Sequence, residues 1–314
     1  MGNHIEFSRD IKRGWSRRQF VAGALAGAGI LAVRPKWLAA AEAGSNQGKC
    51  KATEIVALGQ TGIKVSRLAQ GTGWNGGARS SAHTRLGEKA FTRLVRHSLD
   101  SGITLMDTAD LYGAHPYVRT ALDGVPRDKY RILSKIWPRK EFWNSPSGGA
   151  REEVNRFRRE LRSDVIDICL IHCMTHSEWP EEFERIRDEL VEMKQKGAVR
   201  AVGVSCHDFG ALKSAANHPW VDVILARINN VGTEAHMDAS VEEVTKVLKQ
   251  ARKNGKVVIG MKIFGAGKLV KPDQKDASLK YVFENKVVDA ITIGMMSPDE
   301  VDDTIKRMNK VLST

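Results

Sequence analysis

The sequence has few cysteines, few aromatic residues and no long apolar run. Its four cysteines are too few for a disulfide-built miniprotein, and none forms a Cys-x-x-Cys pair, which argues against redox-thiol and iron–sulfur sites. A collagen-like fibre, a mainly disordered chain and a polytopic membrane protein are also excluded, because 42% of the residues are hydrophobic and 27% are charged. This composition is typical of a globular protein with a substantial core.

The positive charge does not form a nucleic-acid-binding pattern. The formal net charge is +12, and residues 1–43 carry +4 of it, from seven Lys or Arg against three acidic residues. The remaining charges are interspersed, and the aromatic residues, 6% of the chain, do not alternate with them. Nucleic-acid binding is therefore not expected. A mildly basic surface also suits an anionic ligand such as a dinucleotide.

The N-terminal segment has the parts of an export signal in the right order. The arginine pair Arg17-Arg18 directly precedes an uncharged run at residues 20–33, and Ala41-Glu42-Ala43 offers a small-residue cleavage site. The run is too short and too weakly apolar for a comfortable transmembrane helix. This order resembles a twin-arginine signal peptide rather than a basic tail followed by a buried helix.

The resemblance to a twin-arginine signal divides the chain. It implies a signal peptide at residues 1–43, a linker at residues 44–52 and one folded domain at residues 53–314. It also implies handling by the twin-arginine translocation machinery, a periplasmic or otherwise exported mature protein, and membrane contact only through the signal segment. Retention as an uncleaved anchor is the alternative. Because this pathway carries folded proteins, a cofactor can be acquired in the cytoplasm before export. The expectation is either such a tightly held cofactor, recycled by paired substrates, or net oxidation of an alcohol or sugar.

Beyond the linker, short apolar runs alternate with longer amphipathic stretches. Eight runs rich in Val, Ile and Leu are predicted to be strands: residues 64–70, 103–108, 130–136, 166–172, 198–205, 221–228, 257–264 and 288–294. Apolar residues recur at intervals of three and four in the predicted helices 88–99, 150–161, 179–196, 240–253 and 298–310. Apolar strands that are each followed by a helix predict a parallel sheet covered on both faces.

Eight such units predict a single-domain α/β fold, the (β/α)8 TIM barrel. A doubly wound open sheet is the alternative, and residues 71–76 match its G-x-G-x-x-G spacing. That match is discounted because no helical pattern begins there. Residues 58–62 are expected to form a small hairpin that caps the barrel floor.

Four polar residues end or follow three successive predicted strands. Asp107 and Tyr112 follow the second strand, Lys135 lies near the end of the third, and His172 ends the fourth. Neighbouring strands lie about 4.8 Å apart, so these side chains can converge at the mouth of a barrel. A Lys ammonium lowers a Tyr pKa, an Asp orients the Lys, and a His can hydrogen-bond a substrate carbonyl oxygen. A buried Lys135–Asp107 ion pair and a structural His172 are the alternatives.

These residues and their neighbours resemble the aldo-keto reductase family. The resemblance rests on residues 58–66, 107–113, 170–172, 197–205 and 293–297 together with Lys135, and it covers about residues 53–312. It implies a TIM barrel that binds NAD(P)(H) and interconverts carbonyls and alcohols by hydride transfer. It further implies that Asp107, Tyr112, Lys135 and His172 form a catalytic tetrad, with Tyr112 as the proton donor or acceptor. Small aldehydes, ketones, alcohols or sugars are the expected substrates.

The same resemblance implies a set of cofactor-binding residues: Gly71, Thr72, Asp107, Ser205, Cys206, Asn229, Phe264, Gly265, Gly267, Gly294, Ser297 and Glu300. Cys206 and Leu225 depart from the family pattern, which has Asn and Gln around the nicotinamide. Asn229 is expected to supply a polar contact instead. Glu300 stands where NADP-preferring relatives often have Arg. A carboxylate there would repel a 2′-phosphate, so NAD(H) is favoured over NADP(H).

No metal site is expected. Cys169, His172, Cys173 and His176 have the spacing of zinc ligands. On a strand, however, Cys169 and His172 point to opposite faces, so they cannot close one tetrahedral site.

The alternative to the oxidoreductase function is a non-catalytic barrel that binds a nucleotide and serves redox sensing or partner binding.

Overall fold

The computed structural model describes residues 51–139 and 148–313. The predicted signal segment, residues 1–43, lies outside the described residues, as does nearly all of the predicted linker, residues 44–52. Within the described part of the chain, no helix is both long and apolar enough to cross a membrane.

An antiparallel hairpin precedes the main sheet. Its strands are β1 (Ile55–Ala57) and β2 (Lys64–Ser66), so the expected hairpin is present. The predicted strand 64–70 is wrong as a single element, because β2 belongs to the hairpin and the next strand begins at Leu68. The chain turns between the two strands, and Ser66 Oγ donates to the Leu68 carbonyl at 2.5 Å across this turn.

Eight parallel strands close into a barrel, which confirms the predicted (β/α)8 TIM fold. They are β3 (Leu68–Gly71), β4 (Leu105–Asp107), β5 (Arg131–Ile136), β6 (Ile166–Met174), β7 (Val199–Cys206), β8 (Val223–Arg227), β9 (Val257–Met261) and β10 (Ala290–Ile293). The last strand, β10, pairs with both β9 and β3, and this pairing closes the sheet. The alternative of an open doubly wound sheet is therefore rejected.

The hairpin plugs the N-terminal end of the barrel. Leu58, Ile63 and Val65 are fully buried, and they share one apolar cluster with the interior side chains Leu105 and Ile259. Burying these side chains removes apolar surface from water at an end that the strands alone would leave open.

Amphipathic helices surround the barrel. They are α1 (Glu88–Asp100), α2 (His115–Leu122), α3 (Ala150–Leu161), α4 (Trp179–Glu182), α5 (Glu184–Gln195), α6 (Phe209–Asn217), α7 (Val241–Lys253), α8 (Pro272–Glu284) and α9 (Pro298–Leu312). The helix predicted at 150–161 is confirmed unchanged, and those predicted at 88–99, 240–253 and 298–310 are confirmed to within two residues. The helix predicted at 179–196 is interrupted at Phe183, whose φ of −109° and ψ of 28° are not helical.

The parallel strands bring the predicted tetrad to one place. Asp107 ends β4, and Lys135 is the second-last residue of β5. His172 lies within β6, two residues before its end at Met174. Tyr112 ends a short 3-10 turn after β4. Because all eight strands run in the same direction, their C-terminal ends meet at one mouth of the barrel.

Candidate active site

A buried ion pair lies at the mouth of the barrel. Lys135 is only 1% exposed and pairs with Asp107 Oδ1, and its Nζ also donates to the Thr108 carbonyl at 2.8 Å. Thr292 Oγ1 donates to the second Asp107 oxygen at 2.9 Å. Burial lowers the pKa of Lys135, but Asp107 and Tyr112 together outweigh this effect and raise it above its ordinary value. Lys135 is therefore a fixed ammonium group.

Tyr112 stands over this ion pair. Its ring centroid lies 4.8 Å from Lys135 Nζ. Its hydroxyl lies 3.4 Å from His172 Nε2, and the two rings meet edge to face with centroids 5.5 Å apart. The four residues predicted from the sequence as a tetrad thus lie together, and the predicted Lys135–Asp107 ion pair is part of the same arrangement.

Both Tyr112 and His172 are held in their neutral forms. Burial raises the pKa of Tyr112, and the charge of Lys135 opposes this only in part. Lys135 lowers the pKa of Tyr112 as predicted, but desolvation of the phenolate is the larger effect and sets the net direction. Burial also lowers the pKa of His172 well below its ordinary value, and the positive charges of Lys135 and Arg139 lower it further. A neutral phenol at this position can donate a proton.

Two glycines in the loop after β3 make room for Tyr112. A Cβ on Gly73 would lie 2.6 Å from Tyr112 Cδ2, and a Cβ on Gly76 would lie 2.7 Å from Cδ1. A Cβ on Gly71 would lie 3.2 Å from the Gly294 backbone nitrogen. The glycine spacing that resembles a dinucleotide fingerprint is therefore explained by close packing.

A cavity of about 280 Å³ extends from the tetrad along the ends of β9 and β10 to the first turn of α9. Six of the predicted cofactor residues line it, namely Gly71, Asp107, Phe264, Gly267, Gly294 and Glu300. Trp74 also lines it and is 39% exposed. The cavity is thus a groove that begins at the Tyr112 ring.

Two lysines and a glycine floor in the groove suit the pyrophosphate of a dinucleotide. Lys262 and Lys275 line its walls and supply positive charge for a pyrophosphate. Gly71 and Gly294 form the floor of the groove, after β3 and β10. Gly294 has little room for a side chain, because a Cβ there would lie 3.2 Å from His83 Cε1. Ala266 has a φ of 50°, a left-handed conformation that turns the loop after β9 beside the groove. The residues present therefore fit NAD(H) or NADP(H).

The other predicted cofactor residues are not among those that line this groove: Thr72, Ser205, Cys206, Asn229, Gly265 and Ser297. Asn229 is fully buried, and its Nδ2 donates to the carbonyls of Ala235 and Lys262, while its Oδ1 accepts from two loop amides. This amide organises the loop after β8. A cofactor contact from Asn229 would require that loop to rearrange.

Ser205 and Cys206 also have roles inside the protein. Ser205 Oγ accepts from the Cys173 backbone N–H at 2.8 Å. Cys206 is fully buried, and burial raises the pKa of its thiol well above the ordinary value. A nicotinamide contact from either residue stays a prediction.

The first turn of α9 holds a carboxylate beside the groove. Ser297 Oγ accepts from the Glu300 N–H at 3.2 Å, and Glu300 Oε2 accepts from the Met296 N–H at 2.8 Å. These reciprocal bonds cap the helix. They also fix the position of the Glu300 charge, which the sequence placed at the discriminating end of the cofactor site.

Two residues beside the groove were missed by the sequence prediction. His83 is fully buried, and its Nε2 lies 3.1 Å from the Met295 carbonyl, which also accepts from Gln70 Nε2 at 3.0 Å. Burial lowers the pKa of His83 to about 4. No sequence pattern marks this histidine. Lys262 could have been found, because a charged residue there interrupts the predicted apolar strand 257–264 directly after β9.

The Cys and His residues with zinc-like spacing are used separately. Cys169 is fully buried, His172 contacts Tyr112, and His176 pairs with Glu182. Across residues 51–139 and 148–313, no group of three or more His, Cys, Asp or Glu side chains is arranged to hold a metal ion.

Comparison with known proteins finds the aldo/keto reductase family, as the tetrad residues and the barrel predict. The sequence model of the aldo/keto reductase family matches residues 68–279, more than half of the chain. Aldo-keto reductase YhdN of Bacillus subtilis is 31% identical over 163 residues, which cover 48% of this chain and only 46% of that relative. L-galactose dehydrogenase of Arabidopsis thaliana is 22% identical over 83% of this chain and 89% of its own length.

Two other similar proteins have a nicotinamide cofactor in their descriptions. An NADH-specific methylglyoxal reductase of Escherichia coli is 26% identical over 65% of each chain. An aldo-keto reductase from Klebsiella pneumoniae, solved with NADPH, superposes with a TM-score of 0.59 at 18% identity, over 81% of this chain and 89% of that one. The aldo-keto reductase AKR11C1 from Bacillus halodurans superposes at 0.64 with 20% identity, over 82% of this chain and 95% of that one. At these identities the superpositions show the shared fold.

Proposed function

This chain belongs to the aldo/keto reductase family, whose members are NAD(P)-dependent oxidoreductases, and from this premise we propose that it is an exported enzyme that interconverts a carbonyl and an alcohol. The observation that carries the proposal is the neutral Tyr112 hydroxyl, 3.4 Å from neutral His172 Nε2 at the point where the groove begins. The expected substrate is a small aldehyde, ketone, alcohol or sugar.

The protein groups divide the acid–base work. The nicotinamide, when bound, supplies or accepts the hydride. Tyr112 donates its phenolic proton to the carbonyl oxygen in reduction and takes it back in oxidation. Lys135 stabilises the tyrosinate that remains, and Asp107 holds Lys135 in place through its buried contact. The N–H of His172 Nε2 donates to the same carbonyl oxygen and so fixes the orientation of the substrate.

We propose NAD(H) rather than NADP(H) as the cofactor. The support is the Glu300 carboxylate, which is tied to the Met296 N–H at 2.8 Å beside the groove. A fixed negative charge repels a 2′-phosphate and can accept from a ribose hydroxyl. Lys262 and Lys275 would hold the pyrophosphate from the groove walls. Relatives with each cofactor exist, so the choice depends on residues of this chain.

The test of catalysis is Tyr112→Phe in the purified mature protein. With NADH and a panel of small aldehydes, ketones and sugars, we expect oxidation of NADH by the wild type. Loss of general acid catalysis should lower kcat by about 10²- to 10⁴-fold in the variant. Cofactor binding, measured by calorimetry, should survive, because the phenyl ring keeps its packing. Binding without turnover of any carbonyl by the wild type would favour the non-catalytic nucleotide-binding barrel instead.

The test of export compares the wild type with the double variant Arg17→Lys/Arg18→Lys. The paired arginines of the N-terminal segment motivate a location outside the cytoplasm. We expect the wild type in the exported fraction and the variant retained in the cytoplasm. Mass spectrometry of nucleotide released from the exported wild type should detect NAD(H) that was bound by the folded protein before export. Equal distribution of both proteins would contradict export by this route.

A further inference from the structure

The mouth of the barrel carries four basic side chains beyond the tetrad. Arg139 follows β5, His207 follows β7, Arg227 ends β8, and Lys262 follows β9. We call these four residues the basic rim. Because the ends of parallel strands meet at one mouth, the basic rim borders the side of the site that His172 occupies.

His207 presents a donor close to the tetrad. Its Nδ1 lies 2.5 Å from Arg227 Nη2, and arginine can only donate, so Nδ1 accepts and the ring proton of neutral His207 sits on Nε2. The His207 ring centroid lies 6.3 Å from that of His172. Within the described part of the chain, His207 Nε2 has no hydrogen-bond partner. The N–H of His207 Nε2 is thus available to a second group of a substrate whose carbonyl oxygen lies beside Tyr112 and His172.

Arg139 is anchored to the residues that follow His172. Its Nη1 donates to the Cys173 carbonyl at 2.7 Å, and its Nη2 lies 3.2 Å from Thr175 Oγ1. Both contacts are to neutral groups. Across residues 51–139 and 148–313, no carboxylate pairs with Arg139 or with Lys262, whereas Arg227 pairs with Asp238 at 3.1 Å. The basic rim therefore contains more positive charge than the carboxylates of residues 51–139 and 148–313 neutralise.

The titration of neighbouring groups agrees with an excess of positive charge. The pKa of Lys262 is lowered by burial and then by Arg227, and the pKa of His207 is lowered by burial and then by Arg227 and Lys262. The buried carboxyl of Asp238 has its own pKa raised to about 6 by burial and by Asp208, against the opposing effect of Arg227. Concentrating cations in a partly buried mouth is unfavourable unless an anion binds there.

We infer that the basic rim binds a carboxylate or phosphate group of the substrate, which makes the preferred substrate an anionic carbonyl compound. The inference rests on the proposed oxidoreductase function and names the substrate class of the same site. The anion would meet His207 Nε2–H and the guanidinium of Arg139, while the carbonyl oxygen lies between Tyr112 and His172. Lys262 also lines the cofactor groove, so Arg139 and His207 distinguish a substrate anion from a cofactor phosphate.

The test uses three aldoses with the same reacting carbon. D-glucuronate carries a carboxylate at C6, D-glucose 6-phosphate a phosphate, and D-glucose a neutral hydroxyl. In the wild type with NADH, we expect kcat/KM for at least one anionic sugar to exceed that for glucose by about tenfold or more, since a hydrogen bond to a charged group is worth about 10- to 100-fold. The better of the two anionic sugars identifies the anion as carboxylate or phosphate.

The variants Arg139→Gln and His207→Phe locate the effect. Each should reduce the preference for the anionic sugar over glucose by about tenfold, mainly through KM, and Arg139→Lys should restore part of it. Arg93→Gln, an exposed arginine on α1, is the matched control and should leave the preference unchanged. An equal loss with glucose and with the anionic sugars would mean that Arg139 only supports the Cys173 backbone, and would overturn the inference.

Two negative results are distinguishable. If the wild type reduces glucose or a simple neutral aldehyde as well as it reduces the anionic sugars, the oxidoreductase function stands and the anionic preference is wrong. If the wild type reduces no carbonyl compound at all, the proposed function fails together with the inference. A competitive inhibition assay with gluconate, which has the anion but no carbonyl, adds a binding readout. Inhibition should weaken in Arg139→Gln and stay unchanged in Arg93→Gln.

Discussion

Gly73 lies against the ring of Tyr112 so closely that no side chain fits between them. A Cβ on Gly73 would lie 2.6 Å from Tyr112 Cδ2 and closer still to two other ring atoms. The loop after β3 therefore forms one wall of the pocket that holds the tyrosine, although Gly73 contributes no chemical group. The position of the Tyr112 phenol depends on this contact with Gly73, and proton transfer by Tyr112 therefore depends on it as well.

Gly73→Ala should push the Tyr112 ring out of place. A displacement of about 1 Å from the reacting geometry costs about 10²-fold in rate, so kcat/KM should fall by about that factor. Overpacking should lower the free energy of unfolding by about 1–3 kcal/mol. Gly77→Ala is the matched control in the same loop, because a Cβ there meets nothing within 4 Å. Steady-state kinetics and urea unfolding check both variants, and full activity in Gly73→Ala would show that the ring relaxes freely.

Lys135→Met should destabilise the fold as well as remove activity. The substitution leaves Asp107 as an unpaired buried carboxylate, which costs about 3–5 kcal/mol of unfolding free energy. Lys280→Met is the control, since Lys280 and Glu284 are both about 60% exposed and their contact of 3.6 Å is a surface pair. The control should change stability by less than about 1 kcal/mol. Chemical denaturation measures both, and similar losses in the two variants would contradict the buried-pair explanation.

Glu300→Arg should move the cofactor preference toward NADP(H). The change replaces the carboxylate that faces the predicted 2′ position by a cation that can bind a phosphate, which should shift the NADPH-to-NADH affinity ratio by about 10- to 100-fold. Asp299→Arg makes the same charge change on the neighbouring exposed residue, which does not line the groove. Binding titrations with both nucleotides measure the ratio. An equal shift in the two variants would point to general electrostatics instead of a specific contact.

The free energy of unfolding should decrease in acid, because Glu160 becomes protonated and loses its contacts with His115 and Arg156. Burial raises the pKa of Glu160, but its bonds to His115 at 2.7 Å and Arg156 at 2.8 Å outweigh this and lower the pKa from 4.5 to about 2. A depressed carboxyl pKa contributes stability that is complete above pH 5 or so and is lost as the pH falls toward 2.

Because Glu160 is partly exposed, the contribution should be about 2 kcal/mol. Glu160→Gln should therefore remove that much of the pH dependence of the unfolding free energy between about pH 5 and 2. The exposed Glu234→Gln is the control and should keep the wild-type profile. Urea unfolding at a series of pH values makes the measurement, and parallel profiles for wild type and Glu160→Gln would refute the assignment.

Much of the fold could be predicted because local pattern reports on burial. The helix at Ala150–Leu161 was predicted without error, since its apolar residues recur with the helical period and buried Val154, Phe157 and Leu161 share one face. The errors have non-local causes. Residues 64–70 read as one apolar strand, but barrel closure assigns Lys64–Ser66 to the floor hairpin. Phe183 interrupts a helix that periodicity alone would continue.

The candidate site was predictable in its residues and not in its environment. Residue type and position at strand ends indicated Asp107, Tyr112, Lys135 and His172. The direction of the Tyr112 pKa was not predictable, because burial of the phenol outweighs the charge of Lys135. The internal hydrogen bonds of Asn229 were likewise hidden, since its partners come from two loops that the fold brings together.

The sequence by itself determined the barrel, the family and the identity of the four tetrad residues, because strand and helix periods and short motifs are local properties of the chain. Only the tertiary structure decided what surrounds those residues. Closure of the barrel places Thr292 on Asp107, 185 residues away along the chain, and seats Tyr112 against glycines of another loop. Closure also gathers the basic rim from four strand ends. Burial and charge at this mouth depend on contacts between distant segments, which no local pattern encodes.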